Sequence, residues 1–396
     1  MGLHIESLSV LLLVAGLVAM IARRIKLPYT VALVLAGCGL AWFPFRFTFS
    51  LTQDLVFTAL LPPLIFEAAF HVEWREFRKQ ITLLLTLATV GVLLSAGVVA
   101  LGVYYLLHWQ WGIGLVVGVL LSATDTVSVL ATFKQIGVKG RLLLLVEGES
   151  LLNDGTAAVL FSMALALLRG DAFHMGSAFA TFLATVVGGA VCGGLVAGTV
   201  LGLAGETEDP LIEITFTTVA AYGAFLFAEY FHMSGVIATM TAGLMIGNIG
   251  SLGAITDRGR EATSAFWEYA CFVSNSLIFL LMGVHLSKQS FAGALYPAIV
   301  IFLLLILGRA LGVYLCCGLF RRGELRVERK QQHMLFWGGL RGALALALVL
   351  GLPDNFPQRS EILNVMFLVV AFSLGLQGLT VPSLLRRLKL SPLQPE

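Results

Sequence analysis

Leu120-Leu121-Ser122-Ala123-Thr124-Asp125-Thr126-Val127 sets an acidic residue between two threonines at the midpoint of an otherwise apolar run. In a membrane helix such a triplet points to local unwinding, which frees backbone carbonyls and half-helix ends to face an ion. The plainer alternative is that Thr124 and Thr126 satisfy their own helix backbone. A second apolar run is interrupted by Gly338-Gly339-Leu340-Arg341-Gly342. Whether the two breaks belong together depends on how the rest of the chain divides.

Hydrophobic residues fill 58% of the 396 positions and charged residues 12%, and the mean hydropathy is +0.92. These values lie outside the soluble globular range and exclude a separate soluble domain. A bilayer crossing takes roughly 20 apolar residues, and on that measure polar and Pro/Gly breaks give about thirteen spans. Their centres fall near Val14, Val34, Leu60, Leu94, Val119, Phe161, Gly189, Ala220, Thr241, Leu277, Leu305, Ala345 and Val370. With the seventh span as a linker, each break is in the fifth span of its half. Paired broken helices in corresponding positions are the sequence mark of a transport site near the bilayer midplane. The expected fold is therefore all-α and polytopic, with two broken helices.

The basic residues set the orientation. Nineteen of the 25 fall in one set of alternate loops: Arg23, Arg24, Lys26; Arg75, Arg78, Lys79; Lys134, Lys139, Arg141; Arg258, Arg260; Arg321, Arg322, Arg326, Arg329, Lys330; and Arg386, Arg387, Lys389. The other set holds only Arg46, Arg169, Lys288 and Arg359. The positive-inside rule puts the first set in the cytoplasm, with the N-terminus outside and the C-terminus inside the plasma (inner) membrane. The loop with Glu206, Glu208 and Asp209 is assigned to the cytoplasm although it has no basic residue. The run from Leu8 to Ala22 lacks a preceding basic region and is read as a retained first helix. Cys38, Cys192, Cys271, Cys316 and Cys317 lie in apolar stretches without metal-type spacing and read as buried thiols. The seven histidines fall mostly at span ends and read as interfacial.

Acids inside spans are the costly feature. Glu67, Asp125 and Asp154 together cost on the order of 8 to 10 kcal/mol on insertion scales. Structural ion pairing is the plain reading, but only Arg309 and Arg341 lie deep in spans, and Glu147 and Glu149 compete for them. A buried carboxylate without such a partner is a group that holds either a proton or a cation. The sixth span carries Glu147-Gly148-Glu149-Ser150-Leu151-Leu152-Asn153-Asp154-Gly155-Thr156. At 100° per residue, Ser150 and Asp154 are about 40° apart, whereas Glu149 lies about 140° from Asp154. Ser150 and Asp154 then offer oxygens to one small cation, and Glu149 faces an arginine on another helix.

These residues resemble the monovalent cation:proton antiporter-1 family, which contains NhaP-type prokaryotic antiporters and animal and plant sodium/proton exchangers. The matching stretches are Leu61-Pro62-Pro63-Leu64-Ile65-Phe66-Glu67-Ala68-Ala69, Ala123-Thr124-Asp125, Glu147 through Gly155, and Gly338-Gly339-Leu340-Arg341-Gly342-Ala343. The resemblance implies thirteen helices, an NhaA/NhaP-like inverted repeat and a homodimer. It also implies an ion-carrying core, near residues 51–70, 81–168 and 263–350, that moves like an elevator against the remaining, dimerising helices. It implies Na⁺ (or Li⁺) and proton binding at Asp154, with Asn153, Ser150, Thr124, Asp125 and Glu67 around it, and no cofactor. It pairs Glu149 with Arg341 and gives Arg309 an electrostatic or structural role. Asn153-Asp154, in place of an Asp-Asp pair, implies electroneutral exchange. Thr126, where many relatives have proline, and Val127-Ser128 depart from the pattern. The chain ends six residues beyond Leu390 with no regulatory domain, which suggests a prokaryotic source.

Three rival readings share some of these features. A potassium/proton antiporter would use the same oxygens in a looser site. A passive channel would show a continuous polar stripe, whereas here polar groups concentrate at one depth. An intramembrane aspartyl enzyme would show Gly-x-Gly-Asp, which is absent, as are H-E-x-x-H and G-x-S-G. No feature suggests a nucleic-acid partner.

Overall fold

In the absence of water, a chain in hydrocarbon must satisfy its backbone within itself, so the apolar runs fold as helices. The computed structural model describes residues 5–25, 27–42, 51–125, 127–168, 175–205, 207–250, 255–289, 291 and 293–390. Lys26, Arg46, Thr126, Arg169 and Glu206 lie outside these residues. The helices are α1 Ile5–Ile25, α2 Tyr29–Leu40, α3 Leu55–His71, α4 Trp74–Leu107, α5 Trp111–Leu120, α6 Val127–Ile136, α7 Arg141–Leu168 and α8 Met175–Ala204. They continue as α9 Pro210–Tyr230, α10 Gly235–Ile249, α11 Asp257–Lys288, α12 Leu295–Leu319, α13 Arg329–Trp337, α14 Ala343–Leu350 and α15 Arg359–Leu388.

Among the described residues, eight of these helices are long and apolar enough to cross a membrane. With α5 and α6 as one broken unit, and α13 and α14 as another, the order reproduces the thirteen expected spans, each centre inside its helix. Helix starts at the periphery carry caps that the sequence spells out. Asp209 accepts from Leu211 N–H ahead of Pro210, and Thr256 accepts from Gly259 N–H. Glu328 and Gln331 form a reciprocal capping box at α13. By contrast, α14 starts at Gly342 with no side-chain cap, in the buried interior. Its free N–H groups face the region described below. All five cysteines are free thiols, four of them buried.

Two apolar clusters hold the helices together. The smaller joins α8, α9 and α10 to one face of α3 and α11 through Phe66, Ala197, Ala221, Ala242 and Trp267. The larger takes in the rest, including both broken units. Between helices in lipid the drive comes from close packing more than from water exclusion, so small residues mark the contacts. The α2–α11 contact is the clearest case. A Cβ on Gly37 would strike the Leu280 carbonyl, and one on Gly283 would strike the Val34 carbonyl. Cys38 Sγ donates to the Gly283 carbonyl at 3.3 Å in the same contact.

This packing predicts opposite outcomes for two like substitutions. Gly37→Ala should cost about 1–3 kcal/mol, because backbone atoms must move apart to admit a methyl group. Gly16→Ala in α1, where no atom beyond the local helix backbone lies within 4 Å of the added carbon, should be neutral or gain up to about 1 kcal/mol in helix propensity. Thermal unfolding of the two purified variants in detergent checks the contrast.

Candidate functional site

Both breaks occur where the sequence put them, and they cross each other. After Leu120 the chain leaves the helix and passes through Ser122 to Asp125 before α6. After Trp337 it passes through Gly338 to Gly342 before α14. Asp125 N–H donates to the Leu340 carbonyl at 2.8 Å, an isolated antiparallel bridge that ties one crossing to the other. Thr124 lies in the break, so it does not serve its own helix backbone. The side chains of Val127 and Ser128 lie outside the described residues.

Three carbonyls released by the first break find donors. Arg341 Nη1 donates to the carbonyls of Ser122 and Ala123, each at 2.8 Å. Ser150 Oγ donates to the Thr124 carbonyl at 2.5 Å. Arg341 is 1% exposed, so its guanidinium sits as a fixed cation at the negative C-terminal end of α5. Asp125 lies at the opposite kind of end. Its carboxylate presses on Gly342, immediately before the positive N-terminus of α14, and a Cβ at position 342 would collide with it. That contact is one reason for a glycine there.

Glu149 is 2% exposed and is held by Arg309, not by Arg341. Arg309 Nη1 and Nη2 reach Glu149 Oε1 and Oε2 at 2.5 and 2.7 Å, and Nη2 also donates to the Leu335 carbonyl at 2.8 Å. The expected Glu149–Arg341 pair is thus corrected. Glu149 does face an arginine on another helix, as its angle on α7 demands, but the helix is α12. Arg341 is held by the α5 carbonyls because it belongs to the crossing itself. Asn153, fully buried, links the two systems, donating to Glu149 Oε1 and, at 3.2 Å, to Thr124 Oγ1.

These bonds surround a cavity of about 60 Å³ whose wall includes Thr124, Asp125, Glu147, Ser150, Asp154 and Asn275. The volume suits one small cation with little water around it. Ser150 and Asp154 share its α7 side, as the helix angle requires. Asp154 Oδ1 is buried without a hydrogen-bond partner. Its charged neighbours are the Asp125 and Glu149 carboxylates and the Arg341 guanidinium. Buried oxygens from a carboxylate, a hydroxyl and a broken helix form a hard-ligand set suited to a small monovalent cation or a proton.

Glu67 does not join them. The α3 residues on the cavity wall are Leu61, Leu64, Ile65 and Ala68, and Glu67 lies about 110° around the helix from their mean direction. Its Oε1 instead lies 3.5 Å from Nδ1 of His71, whose Nε2 meets Ser264 Oγ at 2.9 Å. The placement of Glu67 at the ion is therefore corrected. Asn153 also stands behind the wall and acts by holding its neighbours.

Two contributions were not read from the sequence. Asn275 of α11 reaches the cavity with an Oδ1 that has no hydrogen-bond partner. Ser373 Oγ of α15 accepts the Arg341 N–H at 3.1 Å and donates to Gln377 Oε1 at 2.6 Å, steadying the second break. Both leave a signal of the kind that singled out Thr124-Asp125-Thr126. Ser274-Asn275-Ser276 is a polar triplet at mid-span, and Ser373 and Gln377 are polar residues one turn apart in an apolar helix.

Residues 9–387 match the family model described as "Sodium/hydrogen exchanger, transmembrane". The chain is 36% identical to the Na(+)/H(+) antiporter ApNhaP of Aphanothece halophytica, over 97% of this chain and 74% of that protein. It is 34% identical to the Na(+)/H(+) antiporter NhaH of Halobacillus aidingensis, over 98% of this chain and 100% of that one. Its fold is similar to that of the sodium proton antiporter MjNhaP1 from Methanocaldococcus jannaschii, with a TM-score of 0.80 at 19% identity, covering 98% of this chain and 99% of that chain.

The pairing found here separates the two arginines experimentally. Arg309→Met should destabilise the protein by about 3–5 kcal/mol by leaving a buried carboxylate uncompensated, and adding Glu149→Gln should recover much of that loss. The same Glu149→Gln should give no rescue of Arg341→Met, whose lost partners are carbonyls. Denaturation midpoints of the four variants in detergent check this, and equal rescue of both arginine variants would return the pair to Arg341.

Proposed function

The chain belongs to the sodium/hydrogen exchanger family, and from that premise we propose that it is a secondary antiporter exchanging Na⁺, or Li⁺, for H⁺ at Asp154. The observation that carries this reading is the state of the two buried arginines. Arg309 is occupied by Glu149 and Arg341 by the carbonyls of α5, which leaves the Asp154 carboxylate on a cavity wall without an arginine in direct contact. Deprotonated Asp154 binds the cation with Ser150 Oγ, Thr124 and Asp125 close by. Protonation removes the charge that holds the cation and releases it. The two substrates therefore compete for one group.

The charge balance follows. Asn153 replaces what would be a second exchangeable acid beside Asp154, and Asp125 stays against the N-terminus of α14. A site carrying either one Na⁺ or one H⁺ has the same net charge in both directions, so the exchange is electroneutral. Hard oxygen donors suit Na⁺ and Li⁺. Alternating access is by an elevator-like movement of residues near 51–70, 81–168 and 263–350 against the remaining helices. The working unit is a homodimer in the plasma membrane with the N-terminus outside, and the exchange needs no cofactor.

Dissipation of a preset pH gradient in proteoliposomes, on adding Na⁺, Li⁺ or K⁺ with the membrane potential clamped and unclamped, tests the proposal. Asp154→Asn should lower cation-dependent proton flux by at least about 100-fold, the scale of losing a group used directly in the exchange. Exchange at the parent rate in that variant would remove Asp154 from the site. In the parent protein, competition at one carboxylate makes the apparent KM for Na⁺ rise as pH falls, by about tenfold per pH unit once protons outcompete the ion, with the maximal rate unchanged. A KM that stays flat while the maximal rate falls would place the proton elsewhere.

A further inference from the structure

A second cavity lies away from the crossing, where α12 ends and α13 begins. Its volume is about 580 Å³, and its lining includes Tyr314, Arg321, Arg326, Arg329, Gln332 and His333. The walls are fixed by bonds the proposed exchange does not use. Tyr314 Oη and His333 Nδ1 are 2.6 Å apart, and Gln332 Nε2 donates to the Val327 carbonyl at 2.9 Å. The Arg326 carbonyl accepts from Arg141 Nη1 at 2.8 Å, and Arg141 Nη2 in turn holds Gln80 Oε1 at 2.9 Å. The loop is thus anchored to the start of α7.

The charge in this cavity is unbalanced. Residues 321–330 carry five basic and two acidic side chains. Of the acids, Glu328 is used in the capping box of α13, and Glu324, exposed like the three arginines, makes no ion pair among the described residues. Among the described residues, the guanidinium groups of Arg321, Arg326 and Arg329 make no ion pair, yet all three border the same space. Three exposed like charges around one cavity make a region of positive potential that attracts an anion. The neighbouring face of α12 says what kind of anion. Leu315 and Leu319, beside Tyr314 and Gly318 in the last turns of the helix, are 55% and 72% exposed. An apolar strip at the end of a membrane helix, adjoining a basic cavity just beyond it, matches a molecule with a phosphate head and acyl chains.

We propose that this cavity binds the headgroup of an anionic phospholipid, with the phosphate among Arg321, Arg326 and Arg329 and the acyl chains along Leu315 and Leu319. Basic pockets between membrane helices recognise such headgroups by charge and by the bidentate geometry of arginine. The face concerned is the one the basic-residue distribution assigns to the cytoplasm. An occupied site bridges α12, which carries Arg309, to α13, which leads into the Gly338–Gly342 break.

The test uses the full chain purified in a neutral detergent and titrated with dioleoylphosphatidylglycerol, dioleoylphosphatidylcholine or inorganic phosphate. Lipid retention is read by native mass spectrometry and stabilisation by thermal unfolding. Phosphatidylglycerol should be retained and raise the unfolding temperature, with phosphatidylcholine and inorganic phosphate each needing at least tenfold higher concentration for the same shift. The combined Arg321→Gln, Arg326→Gln and Arg329→Gln variant should bind phosphatidylglycerol on the order of 100-fold more weakly, at about fivefold per arginine. If that variant does not fold, Arg326→Gln alone should weaken binding about fivefold. The corresponding triple lysine variant, which keeps the charge, should stay within about tenfold of the parent. Equal retention by the parent and the glutamine variants overturns the proposal, and inorganic phosphate matching the lipid at equal concentration overturns the lipid assignment.

Discussion

Two helices broken at the same depth can exist in a bilayer only if the backbone groups they release are satisfied by protein. An exposed N–H or C=O costs several kcal/mol in hydrocarbon. The crossing of the two breaks meets that demand with few parts. The Asp125 N–H meets the Leu340 carbonyl, one arginine takes two carbonyls, and one serine takes a third. Everything else near the site is arranged around this crossing. α7 must present Ser150 to Thr124, α15 must present Ser373 to the Arg341 N–H, and position 342 must be glycine to admit Asp125.

The same accounting decides what each charge is free to do. A cation used to quiet helix ends is not available to neutralise an acid, and a cation bonded at both nitrogens to one acid is not available to a second. Arg341 and Arg309 fall into these two classes. Asn153 then connects the ion pair to the broken helix, so a change in the Glu149–Arg309 pair is felt at Thr124 through one side chain. Cost is concentrated in the structural charges, and chemistry is left to the carboxylate they do not reach. The unpaired arginines at the α12–α13 junction differ, because they lie beyond the last apolar turn, where an anion can approach from the membrane surface.

Much of this was legible in the sequence, for reasons that differ by feature. The thirteen spans could be read because lipid fixes the length of a crossing and forbids irregular backbone in it. The breaks could be read because polar and glycine clusters at mid-span have few other uses. Ser150 and Asp154 could be placed together because one turn of α7 separates them. Asn275, Ser373 and Gln377 have the same mid-span signature but carry no charge, so the insertion cost that marks the acids does not mark them. Glu67 was misplaced for the opposite reason. An acid inside a span draws attention, but the rotation of α3 turns it toward His71 and away from the cavity.

The sequence by itself determined the class of protein, the number and order of the spans, the location of both breaks and the α7 residues that share a face. These follow from composition and from periodicity within one helix, which are local properties. Only the tertiary structure decided that Glu149 pairs with Arg309, that Arg341 serves the carbonyls of Ser122 and Ala123, and that Asn275 reaches the cavity. Both arginine contacts join residues more than a hundred positions apart, and two arginines of identical chemistry are told apart only by where their helices pack.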